Sequence, residues 1–466
     1  MPAADPIEAP KFGTSGLRGL VVALTEDVVS RHVAGFVTAC DAGETVLIGE
    51  DLRPSSPAIA EMAARAVAAA GAVPVRMGAL PTPALALAAR ETDAGAIMVT
   101  GSHIPADRNG LKFYTRGGAE ITKLHEAAIV DAAAGEMPGL PPEVAPGDPE
   151  TTRAALDAYA ARYLDAFGAE ALSGLHLGLY AHSSVARDML AGLLRAMGAR
   201  VTELARSETF IPVDTEAVAH ATRADLVTWA EEHGLDAILS TDGDADRPLL
   251  TDAAGRVIPG DILGALTARH LGAAHVVTPV TANTLIEDLG FDGVLRTRIG
   301  SPFVIAGMAE LGGLSVVGFE PNGGFLLGFD AGGLKALLTR DAVLPMIVPL
   351  IAAKAADKDL AALVAALPPR VTAADRLQDV DRPRAADWIE SLKDDPAARA
   401  DFWDGTSVEL DLTDGVRMIH PEGDIVHLRM SGNAAELRVY AEARGEDRAQ
   451  ALLATGLARA RAALGG

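Results

Sequence analysis

Short apolar runs that end in polar or turn residues recur along this chain, and they constrain its fold more than any other feature. They are Val46–Gly49, Ala96–Thr100, Leu175–Tyr180, Ala237–Thr241, Val276–Val280 and Leu314–Phe319. Continuous apolar runs of this length are typical of parallel strands that are buried on both faces. Helix-like segments such as Ser56–Ala70 and Ser184–Met197 lie between them, each followed by a glycine and a second β-branched run. The pattern predicts repeated βαβ units.

Three polar loops that are far apart in sequence follow late strands of this predicted series. They contain Ser102, Asp242 and Glu320 respectively. Open α/β sheets bind their ligands at the carboxyl ends of the strands. The sequence therefore predicts three related α/β units whose loops meet around one cleft.

The chain has 466 residues, which is too long for one hydrophobic core and fits three or four domains. A Pro- and Gly-rich stretch at 138–149 and the prolines at 368–369 indicate two boundaries, and a third is expected near Gly255. We expect α/β domains at 1–149, 150–255 and 256–368 and an α+β domain at 369–466. The last domain alternates apolar and polar residues over four segments before a closing helix at 447–464, which is typical of an antiparallel sheet. The predicted fold class is thus α/β, with three similar units with mixed sheets and a fourth, α+β unit around a central cleft.

Composition excludes several classes of partner. The net charge of −23 argues against a general nucleic-acid or anionic-membrane surface, because both need clustered Lys and Arg. The first ten residues are acidic, which does not fit a signal peptide, and the longest apolar stretch, Val343–Ala353, is too short to span a bilayer. Cys40 is the only cysteine, so no intrachain disulfide can form. A soluble cytoplasmic protein with small-molecule partners is expected.

Ser102 follows an apolar strand and a glycine, so its hydroxyl is expected at an exposed turn where it can act as a nucleophile. An ordinary Thr-Gly-Ser turn is the alternative. No G-x-S-x-G elbow surrounds it, which argues against an α/β-hydrolase serine. The adjacent His103 is either a phosphohistidine nucleophile or a group that polarises the site.

Asp242, Asp244 and Asp246 are spaced two residues apart, which places three carboxylates on one side of an extended loop. Like charges this close raise one another's pKa unless a cation neutralises them, and hard oxygen ligands suit Mg²⁺. An EF-hand fails, because its sixth position is Arg247 instead of Gly and its twelfth is Ala253 instead of Glu. The pattern predicts a magnesium loop.

Two further segments have the donors that a phosphate group needs. Residues 13–19 are rich in glycine and hydroxyls and include Arg18, although the Gly-Lys-Ser/Thr of a Walker A loop is missing. Residues 429–433 together with Arg438 offer two guanidinium groups, a hydroxyl and an amide. Lys112, ten residues after Ser102, is by default a surface lysine.

Taken together, these motifs resemble the α-D-phosphohexomutases, the family of phosphomannomutase and phosphoglucomutase, over nearly the whole chain from Lys11 to about Glu442. Thr100-Gly101-Ser102-His103-Ile104-Pro105 fits the family's T-[AG]-S-H-x-P loop, and residues 242–247 match its D-G-D-x-D-R metal loop. The resemblance implies four domains, three of them alike. It also implies a serine that is phosphorylated in the resting enzyme and a bound Mg²⁺.

The chain departs from the family pattern in the loops that contact substrate. Asn433-Ala434-Ala435 replaces the usual Thr-Glu-Pro of the phosphate loop, and Pro321-Asn322-Gly323 follows Glu320 where the family has x-S-G. Ile104 stands where asparagine is common, and Ser301 stands where some phosphomannomutases have histidine. The preferred sugar therefore stays open between mannose, glucose and glucosamine.

The resemblance assigns a role to each candidate residue. Ser102, Asp242, Asp244 and Asp246 are expected to hold Mg²⁺, while His103, Arg18 and Lys112 serve proton transfer and charge stabilisation. The expected substrate-binding residues are Arg247, Glu320, Asn322, Arg429, Ser431, Gly432, Asn433 and Arg438. The implied reaction converts hexose 1-phosphate into hexose 6-phosphate through a hexose 1,6-bisphosphate, which also serves as activator.

Three alternatives remain at this point: a phosphoglucosamine mutase, a Mg²⁺-dependent sugar phosphatase that uses the same loops, and a non-catalytic sugar-phosphate binding module. A complete metal loop argues against the binding module. The expected assembly is a monomer or a homodimer.

Overall fold

Four sheets organise the protein, a computed structural model of which describes residues 8–13, 15–137, 139–403, 405–432 and 435–465. The first sheet has seven strands, the second four, and the third and fourth five each. We call each sheet with its helices a unit. The first three units contain parallel and antiparallel strand pairs, and the fourth is wholly antiparallel, so the predicted fold class is confirmed.

The first unit contains β1 (Lys11–Phe12), β2 (Leu17–Leu20), α1 (Glu26–Ala39), β3 (Thr45–Glu50), α2 (Ser56–Ala69), β4 (Val73–Ala79), α3 (Thr82–Glu91), β5 (Gly95–Val99), β6 (Arg108–Thr115), β7 (Ala119–Glu120) and α4 (Lys123–Ala133). The second contains α5 (Pro149–Phe167), β8 (His176–Tyr180), α6 (Arg187–Ala196), β9 (Arg200–Leu204), α7 (His220–His233), β10 (Ala237–Thr241) and β11 (Pro248–Leu250).

The third unit contains α8 (Gly260–His270), β12 (His275–Pro279), β13 (Gly293–Thr297), α9 (Ser301–Glu310), β14 (Val316–Phe319), β15 (Phe325–Leu327), β16 (Leu337–Asp341), α10 (Leu344–Ala355) and α11 (Leu360–Ala365). The fourth contains β17 (Val371–Leu377), α12 (Arg382–Asp394), α13 (Pro396–Phe402), β18 (Glu409–Asp411), β19 (Val416–Ile419), β20 (Ile425–Met430), β21 (Leu437–Ala443) and α14 (Glu446–Leu464). Short 3-10 helices occupy Val21–Ala23 and Thr284–Leu289.

The first three units share one strand order. In each unit, the first strand of the repeat lies between the second and the third strand, and both are parallel to it. A fourth strand then pairs antiparallel with the third. The three strand orders are β4-β3-β5-β6, β9-β8-β10-β11 and β13-β12-β14-β15. The repeated βαβ pattern predicted from the apolar runs is therefore confirmed. The domain boundaries at 149, 255 and 368 stay predictions.

Small side chains let helices pack closely on these sheets. On α2, the residues that face the sheet are mostly alanines with Ile59 and Val67, all of them buried. Helix α6 begins at Arg187, three residues later than predicted, because the Ser184 hydroxyl hydrogen-bonds the Thr241 hydroxyl at 2.7 Å. Ser184 thus braces the strand that leads into the aspartate loop instead of starting the helix.

One continuous hydrophobic core joins the first three units, whereas the fourth has a separate core of its own around Val426 and Leu452. Tyr159 and Tyr163 of α5 extend this junction, because their hydroxyls donate to Asp341 of the third unit at 3.1 and 2.6 Å. The three similar units therefore form one packed body, to which the fourth is joined by polar contacts. Within the described residues, no helix is both long and apolar enough to cross a membrane.

Candidate active site

Each unit of the repeat places one polar loop at the same position, between its third strand and the antiparallel fourth. The Ser102 loop joins β5 to β6, the loop of Asp242–Arg247 joins β10 to β11, and the loop of Glu320–Gly324 joins β14 to β15. Because the topology is shared, all three loops lie at the carboxyl ends of parallel strands. Side chains from the three loops are in contact or linked through a shared partner, as described below.

The Ser102 loop is held in a strained shape. Ser102 has φ +55, a left-handed conformation that is uncommon for a residue with a side chain. Its backbone N–H donates to the Thr100 hydroxyl at 2.7 Å, which in turn donates to Asp51 at 2.7 Å. The Ser102 side chain is fully buried, so the expectation of an exposed turn is wrong; the Asp242 loop of the second unit covers it, and the Ser102 hydroxyl donates to the carboxylate of Asp242. The predicted nucleophile and the predicted metal loop are therefore in direct contact.

Arg53 stabilises the Ser102 loop through hydrogen bonds to its backbone, and sequence reasoning missed this residue. Its guanidinium donates to the carbonyls of Ser102, Ile104, Pro105 and Arg108 at 2.9, 2.6, 2.7 and 3.0 Å. It also pairs with Asp51 at 3.1 Å. Asp51 and Arg53 directly follow β3, so charged residues at the end of a buried strand were the available signal.

The aspartate loop has the ligand arrangement of a cation site. Oxygen atoms of Asp242, Asp244 and Asp246 lie within 4.8 Å of one another, and all three side chains are buried. Backbone N–H groups of Asp246 and Arg247 donate to Asp242 at 3.2 Å, which fixes its orientation. One oxygen each of Asp244 and Asp246 is buried without a hydrogen-bond partner in the described part of the chain. Hard, unpaired carboxylate oxygens in this arrangement fit a divalent cation such as Mg²⁺.

The charges around the triad shift its members in opposite directions. Burial, together with the neighbouring carboxylates Asp244 and Asp246, raises the pKa of Asp242 to about 8. Burial alone also acts to raise the pKa of Asp246, but Arg340, Lys112 and Arg247 outweigh it and hold that pKa below its ordinary value. A cation at the triad would offset both the repulsion among the three carboxylates and the cost of burying the charge of Asp242.

Lys112 lies inside the site and not on the surface, so the default expectation for it is wrong. Its side chain is 2% exposed, and its ammonium contacts Asp246 and, at 2.5 Å, Asp244. Strand β6 pairs with β5, which carries the Ser102 loop, and this pairing directs Lys112 across to the second unit's loop. Thr82 also donates to Asp244, at 2.5 Å.

His103 lies between the serine and a guanidinium. Its Nδ1 is 3.3 Å from the Ser102 hydroxyl and accepts a hydrogen bond from Arg247 at 3.1 Å. Burial and the nearby Arg247 and Arg18 keep the pKa of His103 well below its usual range. The imidazole is therefore neutral, with its Nδ1 lone pair directed toward Arg247 and the serine.

Two cations of the site have unused donors. Arg18 has a buried Nη2 and Arg247 a buried Nε, and neither atom has a hydrogen-bond partner among the residues described. Burial and repulsion from Arg247 and Arg340 lower the pKa of Arg18 to about 10. Orphaned guanidinium donors that repel one another fit a site that receives an anion such as a phosphoryl group.

The Glu320 loop is rigid and buried. Asn322 donates to Glu320 at 3.3 Å and accepts from the Gly324 backbone at 3.0 Å. Gly323 has φ +86, and a Cβ there would lie 2.5 Å from the Pro248 ring, so glycine is required. Glu320 is thus held beside Pro248, which directly follows the aspartate loop.

Arg340 is another residue that sequence reasoning missed, and its side chain lies close to residues of all three similar units. Its guanidinium lies 2.7 Å from Asp246, 2.8 Å from the Ser15 hydroxyl and 3.9 Å from Glu320. The side chain passes over Gly324, where a Cβ would meet it at 2.7 Å. Arg340 is itself buried within β16, next to the buried Asp341, so two adjacent charged residues at the end of a strand were the available signal.

The predicted phosphate-binding residues of the fourth unit lie on or next to strands β20 and β21. Arg429 pairs with Asp414 at 3.0 Å, and Asp414 also accepts from the Ile299 backbone of the third unit at 3.0 Å. Ser431 is buried at the end of β20, Gly432 is exposed and Arg438 is partly exposed on β21. Asn433 lies outside the described residues.

Family models match most of the chain. Residues 9–138, 157–255 and 259–371 match the models described as Phosphoglucomutase/phosphomannomutase, alpha/beta/alpha domains I, II and III, in that order.

Individual relatives match nearly the whole chain. A phosphomannomutase of Sinorhizobium fredii (strain NBRC 101917 / NGR234) is 45% identical over 475 residues, covering 96% of this chain and 98% of its own. A phosphomannomutase of Salmonella muenchen is 43% identical over 469 residues, covering 97% and 96%. The solved structure of a phosphoglucomutase/phosphomannomutase family protein from Burkholderia thailandensis has the same fold, with a TM-score of 0.75, 22% identity and 97% coverage of each chain.

Proposed function

Because this chain belongs to the phosphoglucomutase/phosphomannomutase family, we propose that it interconverts hexose 1-phosphates and hexose 6-phosphates through a phosphorylated Ser102. One observation carries the proposal: the Ser102 hydroxyl of the first unit contacts Asp242 of the second unit's carboxylate triad. Phosphoryl transfer depends on positioning and charge stabilisation, and this contact supports the assignment of Ser102 as the nucleophile and of the aspartates as metal ligands.

Mg²⁺ is the cation that we assign to this site, where Asp242, Asp244 and Asp246, together with Ser102, would hold it. When bound, the ion neutralises charge that develops on the transferring phosphoryl group. The unpaired oxygens of Asp244 and Asp246 support this assignment.

The first half-reaction moves the phosphoryl group from Ser102 to the sugar. The P–O bond to the serine breaks, a P–O bond to the sugar's 6-hydroxyl forms, and the proton of that hydroxyl passes through His103 to the departing serine oxygen, which becomes the Ser102 hydroxyl. His103, with Nδ1 3.3 Å from the serine oxygen, is the neutral group closest to that proton's path. Arg18, Arg247 and Lys112 surround the same space and stabilise the phosphoryl charge.

The substrate's existing phosphate is assigned to the fourth unit, on Arg429, Ser431, Gly432, Asn433 and Arg438, while Glu320 and Asn322 bind ring hydroxyls. The hexose 1,6-bisphosphate then turns so that its other phosphate faces Ser102, which takes it back and releases the hexose 6-phosphate. The same bisphosphate primes an unphosphorylated enzyme, so it also acts as activator. Mannose phosphate is the expected substrate and glucose phosphate the second, since they differ only at C2.

The setting of the reaction is also a proposal. We assign the protein to the cytoplasm, as a monomer or homodimer acting on small sugar phosphates without nucleic-acid or membrane partners. The division into domains at 1–149, 150–255, 256–368 and 369–466 places one loop of the site in each.

Replacement of the nucleophile tests the function. Ser102→Ala should abolish conversion of mannose 1-phosphate to mannose 6-phosphate, with Mg²⁺ and a trace of glucose 1,6-bisphosphate present, yet still bind substrate by calorimetry. Ser391→Ala, on an exposed helix of the fourth unit, is the control and should keep full activity. Intact mass should show one phosphate on the primed control and none on Ser102→Ala. Turnover by Ser102→Ala would contradict the mechanism, and release of inorganic phosphate by the unmodified protein would favour a phosphatase.

A further inference from the structure

We propose that Glu216, in the loop between β9 and α7 of the second unit, is a substrate-contacting residue that accepts a hydrogen bond from a hexose ring hydroxyl opposite Glu320. This inference rests on the proposed function and adds a second carboxylate to the sugar site. No motif in the sequence pointed to it.

The loop that carries Glu216 is anchored on both sides. Val213 and Val218 are buried in the core of the second unit. Between them, Asp214 accepts from the backbone N–H groups of Glu216 and Ala217 at 3.0 and 3.2 Å, which forms a tight turn. The backbone beneath Glu216 is therefore well defined.

The turn that carries Glu216 packs against the Glu320 loop of the third unit. The Thr215 hydroxyl, which is buried, donates to the carbonyl of Asn322 at 3.0 Å. The neighbouring Asp214 comes within 4.0 Å of His103 on the first unit. A residue carried by this turn is thus placed between the sugar loop and the nucleophile loop.

The Glu216 carboxylate faces charged groups from three units. Arg247, Glu320 and Arg438 all interact with it electrostatically, and Tyr440 beside Arg438 does too. Glu216 is exposed to solvent, and its carboxylate accepts no hydrogen bond from the residues described. The side chain is therefore free to receive a donor from a bound molecule.

Although Glu216 is exposed, the surrounding protein atoms partly desolvate its carboxylate, and this desolvation together with Asp214 and Glu320 raises the pKa of Glu216 to about 7. Strongly shifted groups in a cleft are concentrated at functional sites. Arg247 and Arg438 flank the carboxylate and act in the opposite direction, so a sugar phosphate can approach without facing an uncompensated negative charge.

Sugar chemistry gives the carboxylate its partner. Ring hydroxyls are donors, and carboxylates accept their hydrogen bonds strongly. A bisphosphate that must bind in two orientations needs acceptors that reach its ring from either side. Glu216 on the second unit and Glu320 on the third supply acceptors from two separate loops of the cleft.

Deoxy sugars test this contact directly. Kinetics of wild type and Glu216→Gln are compared on glucose 1-phosphate and its 2-, 3- and 4-deoxy analogues. On glucose 1-phosphate the variant should lose at least about tenfold in kcat/KM, the effect of one hydrogen bond to a charged group. On the one analogue that lacks the contacted hydroxyl, the two enzymes should agree within about twofold, because the interaction is absent from both. Glu231→Gln, an exposed glutamate on α7, is the control and should match wild type throughout.

Two results would overturn the inference: a Glu216→Gln variant that keeps wild-type kcat/KM on glucose 1-phosphate, or one that loses equally on every analogue. Failure of the proposed function has a different signature, since wild type itself would then make no hexose 6-phosphate. Calorimetric binding of the same four sugars to both proteins would in that case still decide whether Glu216 touches the ring.

Discussion

Arg53→Lys should disturb the conformation of the Ser102 loop without changing any residue that we assign to the reaction. Arg53 serves five acceptors with its side chain: Asp51 and the four carbonyls around the Ser102 loop. A lysine ammonium has only three donors, so at least two buried or partly buried acceptors lose theirs. Each unmade bond costs about 1–3 kcal/mol, which gives about 2 to 6 kcal/mol for the pair.

This cost falls on the loop's conformation, because three of the acceptors are carbonyls of the loop, a fourth is the carbonyl of Arg108 at the start of β6, and Ser102 is held in a left-handed geometry. If the loop relaxes to that extent, kcat should fall by at least about 30-fold, since about 1.4 kcal/mol corresponds to a factor of ten. The assays are kcat on mannose 1-phosphate and hydrogen exchange of the amides at 100–105, which should lose protection.

Arg296→Lys is the matched control. Arg296 donates to the carbonyls of Pro279, Ala282 and Asn283 and pairs with Glu287, all in the third unit. Its replacement should lower the melting temperature to a similar degree and leave exchange at 100–105 unchanged. If Arg53→Lys kept kcat within about threefold of wild type and normal exchange, the magnitude worked out above would be refuted.

Three further predictions concern stability and metal. Asp341→Asn should cost about 1.5–3 kcal/mol in urea unfolding, because the hydroxyls of Tyr159 and Tyr163 lose a charged acceptor; an unchanged midpoint would contradict this. Burial raises the pKa of Asp261 from 3.8 to about 6, so the folded state holds that proton more tightly and this contribution is lost as pH rises from 4 to 6. The free energy of unfolding of Asp261→Asn should therefore rise relative to wild type over that range. Chelation should stop turnover until Mg²⁺ is restored, and Asp244→Asn should weaken Mg²⁺ binding in calorimetry by at least about tenfold.

Most of the fold follows from local pattern. The buried runs ending at Thr100 and Thr241 were predictable as strands because parallel strands in a three-layer unit are apolar on both faces. The four strands and closing helix of the last unit followed from alternation and periodicity in the same way. Strand β17 went unpredicted, because its residues Asp375 and Arg376 are exposed and interrupt the alternation.

Charged residues outside known motifs were harder to place. Lys112 lies on a strand with no distinguishing neighbours, and only the pairing of β6 with β5 directs it into the site. Arg340 and Glu216 each contact or face residues more than eighty positions away in sequence. Spacing along the chain has no information about such partners, because they belong to other units.

The sequence by itself determined the type of each unit and the chemistry available in each loop, since strand burial, turn residues and the spacing of Ser102 and the aspartates are local properties. Only the tertiary structure decided which cations meet which carboxylates. The physical reason is that burial makes pairing obligatory: Asp246 is held by Lys112 from the first unit and Arg340 from the third, and the common core that packs these units together brings both cations to it.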